Sequence, residues 1–242
     1  MAQWDDDLTM MQGLMLIEET TAARNLLAYG TRALRQAAFL DTTRDPVMTM
    51  LSIGVEKGLK TALGLAHVAE HRVWPSKKTF KDQWGHNLVT MNTELLATLE
   101  ERLHLATHRR VVEPLLNKVR SNAAWEPIVA TLSRYGLSGR FYYLDALAEE
   151  PQADQDPGAY WNDAEQALLA SKPEFRTLLF DAMDDQAEFE RRQAELVGFM
   201  ADAITDWWDL IAFAGKHAML GDRGRTWGTD IDQRMVGRQI RD

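Results

Sequence analysis

The chain has 242 residues, 45% of them hydrophobic and 26% charged, with 36 acidic against 27 lysine and arginine side chains and a formal net charge of −9. That composition suits a soluble globular core and excludes an extensively disordered chain. It also argues against a protein that coats nucleic acid without specificity, because such binding needs clustered Lys and Arg to neutralise phosphates. With no cysteine, disulfides, thiolate metal sites and cysteine nucleophiles are excluded, and a cytoplasmic location is the expectation. The start, Met1-Ala2-Gln3-Trp4-Asp5-Asp6-Asp7, has neither a basic nor an apolar leader region. No apolar run approaches the ~20 residues that span a bilayer, so no membrane partner is expected.

Apolar residues recur at spacings of three and four, and no β-branched run bounded by turn signals stands out, which predicts an all-α protein. A first helix covers residues 8–40, with Leu14, Ile17, Thr21, Leu26, Leu27, Leu34 and Ala38 on its apolar side. Asp45 as a cap and Pro46 in the first turn start a second helix that reaches about His71, and Trp74-Pro75-Ser76 closes it. A third helix runs from Phe80 or Gly85 to about Thr107 and a fourth from there to Ser121, with Pro114 kinking it or marking its start. Shorter helices follow at 125–135, 139–150, 161–170 and 173–183, then a long one at 185–219. The stretch 149–158, rich in Pro, Asp and Gln, is the loop that divides a helical bundle at 1–150 from a C-terminal helical extension at 151–242 packed on the same core.

The second helix carries Gly54, Gly58, Ala62 and Ala66 spaced by four, a stripe that lets another backbone come close and so marks a packing seam. Glu56 and Lys60 form an i,i+4 pair elsewhere on that helix. The stretch Ser52-Ile53-Gly54-Val55-Glu56-Lys57-Gly58-Leu59-Lys60, followed beyond Trp74-Pro75 by Gly85-His86-Asn87-Leu88, resembles the HEPN superfamily of small prokaryotic helical domains. The resemblance spans about residues 8–99, with a further trace at Gly139-Arg140-Phe141-Tyr142-Tyr143-Leu144-Asp145. It implies an up-and-down helical bundle, here with additional C-terminal helices, frequent homodimerisation, and a place in toxin–antitoxin, abortive-infection or CRISPR-associated systems acting on RNA. Many members are catalytically inert. Ser52, Glu56, Lys60 and His86 are the motif residues, and His86 is expected to close a helix start or to bond across to the second helix.

Active members of that family carry an arginine, four to six residues and a histidine, and Arg102-Leu103-His104-Leu105-Ala106-Thr107-His108 matches with five between. The resemblance makes Arg102 and His108 the catalytic candidates of a metal-independent endoribonuclease that needs no cofactor and no metal. The chemistry suits the types: histidine moves a proton near its ordinary pKa of ~6.5, while arginine grips a phosphate through two N–H groups. Arg109 and Arg110 are the candidates for holding the RNA backbone, with Lys118 and Arg120 further along. Leu103 departs from the polar residue usual after the family's arginine. The competing reading is a non-catalytic helical dimerisation or partner-binding module, in which these side chains only solvate a helix face. The expected partners are RNA, a second copy of the chain, or another protein.

Two further histidine patterns need weighing. His67-Val68-Ala69-Glu70-His71 reads as the His-x-x-Glu-His zinc motif of inverted zinc peptidases, yet those need flanking strands, and none is evident in the sequence. The plainer account is a helix C-terminus, where His67, His71 and Arg72 meet unpaired carbonyls. Glu101, His104 and His108 suggest half of a di-iron bundle site, but no second Glu-x-x-His exists. If the second and third helices are antiparallel neighbours, His104 lies about 30 Å from the His67 pair. In the back half, Phe199, Ala203, Trp207, Leu210, Ile211 and Ala214 read as core, with one of Trp207 and Trp208 buried and the other covering an edge. Glu188, Glu190, Arg191, Arg192 and Glu195 read as a solvated face, and the glycine-rich stretch 221–228 lacks the strand and lysine of a phosphate loop.

Overall fold

Thr9 opens the first helix through a reciprocal cap: its hydroxyl accepts from the Gln12 N–H at 3.2 Å while the Gln12 side chain accepts from the Thr9 N–H at 2.8 Å. The chain is described by a computed structural model over residues 6–37 and 40–236, and all regular structure among these residues is helical. α1 (Met10–Gln36) buries a line through Thr20, Ala23, Leu27, Gly30, Thr31 and Leu34. Leu14 and Ile17, expected on that side, are instead 44% and 51% exposed; Ala38 lies outside the described residues. The apolar pattern there is real but faces away from the core.

α2 (Leu40–His71) starts ahead of the expected turn, so Pro46 lies inside the helix and Asp45 does not cap it. The helix simply forgoes the one N–H that Pro46 lacks. α1 and α2 run antiparallel, with Leu27 beside Gly54 and Gly30 beside Leu51. The small-residue stripe serves two neighbours: a Cβ on Gly54 would stand 3.0 Å from the Leu27 amide nitrogen of α1, and one on Gly58 would stand 3.1 Å from the Trp207 ring.

The single turn α3 (Lys77–Thr79), a π-helical turn at Phe80–Trp84 and Gly85 at φ 52° lead to Asn87, whose side chain accepts from the Thr90 N–H and caps α4 (Leu88–Glu101). This connection returns along α2, packing Trp74 over Gly64 and carrying His86 to Glu56. α4 therefore begins beside Glu56 and ends where Arg102 meets Ala66 and Glu70, which makes α2 and α4 parallel. The expectation of antiparallel neighbours fails because the connecting segment is long enough to bring the chain back before α4 starts; only a short loop enforces an antiparallel pair.

After a 3-10 turn at Arg102–Leu105 come α5 (Arg109–Ser121), with Pro114 inside it, α6 (Trp125–Leu137), a 3-10 turn at Gly139–Phe141, α7 (Tyr142–Leu147), α8 (Pro157–Ser171) and α9 (Pro173–Asp181). Asp185 caps α10 (Gln186–Lys216) by accepting from the Ala187 and Glu188 N–H groups, and α11 (Gly221–Asp230) follows. α10 packs against α1, α2, α5, α6, α8, α9 and α11, and its buried side joins every layer. Trp207 stacks on Trp125 with ring centroids 5.2 Å apart. Trp208 is buried too, contrary to the edge role expected for one of the pair, because its N–H reaches the Ile231 carbonyl at 2.6 Å. The glycine-rich stretch 221–228 is helical, and its Trp227 enters the same core. One continuous apolar cluster runs from Ala23 to Ile231. Among the described residues no helix is long and apolar enough to cross a membrane.

Candidate functional site

Arg102 sits in the 3-10 turn after α4, and its exposure is 7%. Its guanidinium donates to the Ala66 carbonyl at 2.8 Å, to the Met219 carbonyl at 3.2 Å and to the Glu70 carboxylate. These groups belong to the end of α2 and to the turn between α10 and α11. The fork geometry that could grip a phosphate is thus occupied in binding three chain segments together. The hydrogen bond from Arg102 also holds the Glu70 carboxyl below its ordinary pKa.

His108 lies on the other side of that turn, exposed, immediately before α5. The structure brings it not to Arg102's donors but to His217, the residue that ends α10, with ring centroids 5.2 Å apart and planes at 76°. The Thr107 N–H donates to the His217 carbonyl at 2.9 Å, fixing the two backbones side by side. Partial burial, then the charges of His108, Lys216 and Arg225, push the His217 imidazole below its ordinary pKa. Arg109 is held by Glu113 through two hydrogen bonds of 2.9 and 2.6 Å, while Arg110 is exposed. His217 was not legible as a site residue: it follows Lys216 with no motif around it, and only the fold brings it to His108.

The family-motif residues cluster at a different place. Glu56 Oε1 accepts from Lys60 Nζ at 2.6 Å and is 2.9 Å from His86 Nδ1, so the imidazole does reach across to α2. Ser52, one turn earlier, is buried and donates to the Thr49 carbonyl at 3.3 Å. The Ser133 hydroxyl of α6 accepts from the Leu88 N–H at 3.1 Å, closing the start of α4 from outside. With its lone pairs shared between a lysine and a histidine, Glu56 acts as a joint between α2 and the loop before α4.

His67 and His71 lie with ring centroids 4.2 Å apart on α2, and the Glu70 oxygen nearest His71 is 3.7 Å away. His104 spends its Nδ1 on the Glu101 carbonyl at 2.8 Å. Because α2 and α4 are parallel, the ends carrying His67 and His104 are near one another and not a bundle length apart. Even so, among the described residues no group of three or more histidine, aspartate or glutamate side chains is placed to hold a metal ion. Comparison with protein-family models, with curated proteins and with solved structures found no match.

Proposed function

We propose that this chain is a non-catalytic helical dimerisation module of HEPN-like type, placed by that resemblance in a prokaryotic defence or toxin–antitoxin system, and that the N-terminal half of α1 is the face that meets a second copy. The observation that carries the reading is the exposure of Met10, Met11, Leu14, Met15 and Ile17, at 85%, 62%, 44%, 51% and 51%. With successive residues turning by about 100°, Met10, Leu14 and Ile17 share one side of the helix and Met11 and Met15 an adjoining one. A solvated helix face is ordinarily polar, and unbranched methionines mould to a facing surface.

Grooves flank this helix on both sides. One of about 340 Å³ between α1 and α11 is lined by Leu14, Ile17 and Trp227 among others, and one of about 270 Å³ by Met11, Met15 and Trp74. Burying the exposed half of such a side chain contributes roughly 1 kcal/mol, so ten of them across two protomers are of the same order as an association cost of about 10 kcal/mol.

The placement of Arg102 supports the non-catalytic side of the reading, since a ribonuclease needs that guanidinium at the substrate. The test is incubation with mixed single-stranded RNA in EDTA. The wild type is expected to leave the RNA intact. Cleavage to 2′,3′-cyclic phosphate ends that His108→Ala abolishes would overturn the non-catalytic assignment and restore the endoribonuclease.

A further inference from the structure

The chain has no cysteine and eleven methionines, so the sulfur that a mild oxidant meets is thioether sulfur, and which thioether reacts follows from exposure. Among the described residues Met10, Met11, Met15, Met183 and Met235 are exposed, and the first three lie together on the opening turns of α1. Met183 and Met235 stand apart, in the turn before α10 and the turn after α11. Met48, Met91, Met200 and Met219 are at most 1% exposed and belong to the core, while Met50 is half-buried.

The line that α1 buries runs from Thr20 to Leu34, so the sulfurs of Met10, Met11 and Met15 hold no part of the core, and a change of their chemistry acts on the outer face alone. Met11 and Met15 share one groove with Leu16 and Trp74. Two hydroxyls in its wall are already spent, that of Thr9 donating to Gln12 Oε1 at 3.0 Å and that of Thr61 to the Lys57 carbonyl at 2.7 Å. A thioether suits such a contact because it is apolar and adaptable. A sulfoxide oxygen is a polar acceptor, which water satisfies on the free chain and an apolar contact does not.

We propose that Met10, Met11 and Met15 form a reversible oxidation site, at which hydrogen peroxide converts the thioethers to sulfoxides and so uncouples the dimer. This regulation rests on the dimerisation reading, since it acts on the same face. At each sulfur a lone pair takes one peroxide oxygen: the S–O bond forms, the O–O bond breaks, and the departing hydroxide collects the proton of the transferred oxygen and leaves as water. Sulfur loses two electrons and the peroxide gains them. The paired chains shield the face, so the free chain is oxidised and withdrawn from the monomer–dimer equilibrium. Thiol-dependent methionine sulfoxide reductases, one for each sulfoxide epimer, reverse the step by removing the oxygen as water while two thiols become a disulfide.

The experiment treats the dilute full chain with graded hydrogen peroxide, locates each added oxygen by peptide mass spectrometry, and measures the dimer Kd by sedimentation and the helical content by circular dichroism. Met10, Met11 and Met15 are expected to be oxidised well ahead of Met48, Met91, Met200 and Met219, and the Kd to rise by about tenfold or more as they are, with helical content unchanged. Both sulfoxide reductases with a dithiol should restore the starting Kd. A chain carrying Met183→Leu and Met235→Leu, which removes the exposed methionines outside α1, should respond as the wild type does. A dimer that persists with the three α1 methionines oxidised, dissociation that appears only with oxidation of the core methionines and loss of helix, or a double variant that no longer responds overturns the proposal and leaves the dimerisation reading standing. An untreated chain that is monomeric at every concentration overturns both.

Discussion

Arg102 ties the junction of α2, α4 and the α10–α11 turn together, its buried guanidinium donating to the Ala66 and Met219 carbonyls and to the Glu70 carboxylate. Arg102→Ala would remove these buried charge-assisted bonds, at about 3 kcal/mol. For a chain of this length that is a loss of roughly 10 °C in melting temperature, measurable by calorimetry; an unchanged transition would contradict the cross-linking role. Sequence could identify Arg102 as noteworthy but not which role it fills, because gripping a phosphate and bridging carbonyls call for the same fork of N–H groups. Its partner Met219 lies 117 residues away, beyond any local pattern. His86 was more legible, since its contact with Glu56 follows from two short motifs on neighbouring elements.

Asp232 gives a second prediction at this scale. Burial raises its carboxyl pKa, but hydrogen bonds from Arg234 and Lys216 outweigh that effect and hold it at about 2, below its ordinary 3.8. A carboxyl depressed in the folded state stabilises fully above its unfolded pKa and loses that contribution as the pH falls through the folded value. Asp232→Asn is therefore expected to cost roughly 2 kcal/mol at neutral pH. The difference from wild type should shrink between about pH 4 and about pH 2 and vanish below. Urea melts across that range check it, and a difference that persists or grows in acid would refute the assignment.

Among the elements, α2 shows how far a sequence pattern reaches. The stripe of Gly54, Gly58, Ala62 and Ala66 marks a seam, and the structure fills it with α1 on one part and Trp207 of α10 on another. Gly54→Ala gains about 1 kcal/mol of helix propensity, but its methyl would press on the Leu27 backbone at 3.0 Å, where nothing flexible can yield. Overpacking at such a contact costs about 1–3 kcal/mol, so a net loss in the denaturation midpoint is expected; a gain would mean that α1 can step back. The direction of α4 was not legible, because periodicity describes each helix and is silent on where a long connection leads. The same limit explains α1: spacing reveals Leu14 and Ile17 as apolar but not which of two apolar arcs the core covers.

At the scale of the whole molecule, the core running from Ala23 to Ile231 closes around α10 and leaves the apolar start of α1 outside it. Helical content, and the absence of strands among the described residues, follow from composition and spacing alone, whereas the pairing of His108 with His217 and the enclosure of Arg102 arise only when distant segments meet. The central claim is that the uncovered arc of α1 joins two copies. Sedimentation equilibrium of the wild type and of Leu14→Glu tests it most directly. The wild type is expected at twice its 27.5 kDa, and the variant, with a charge forced into the contact at a half-exposed position, at the single-chain mass. A wild type that stays at 27.5 kDa at every concentration, or a dimer that Leu14→Glu leaves intact, would contradict the account.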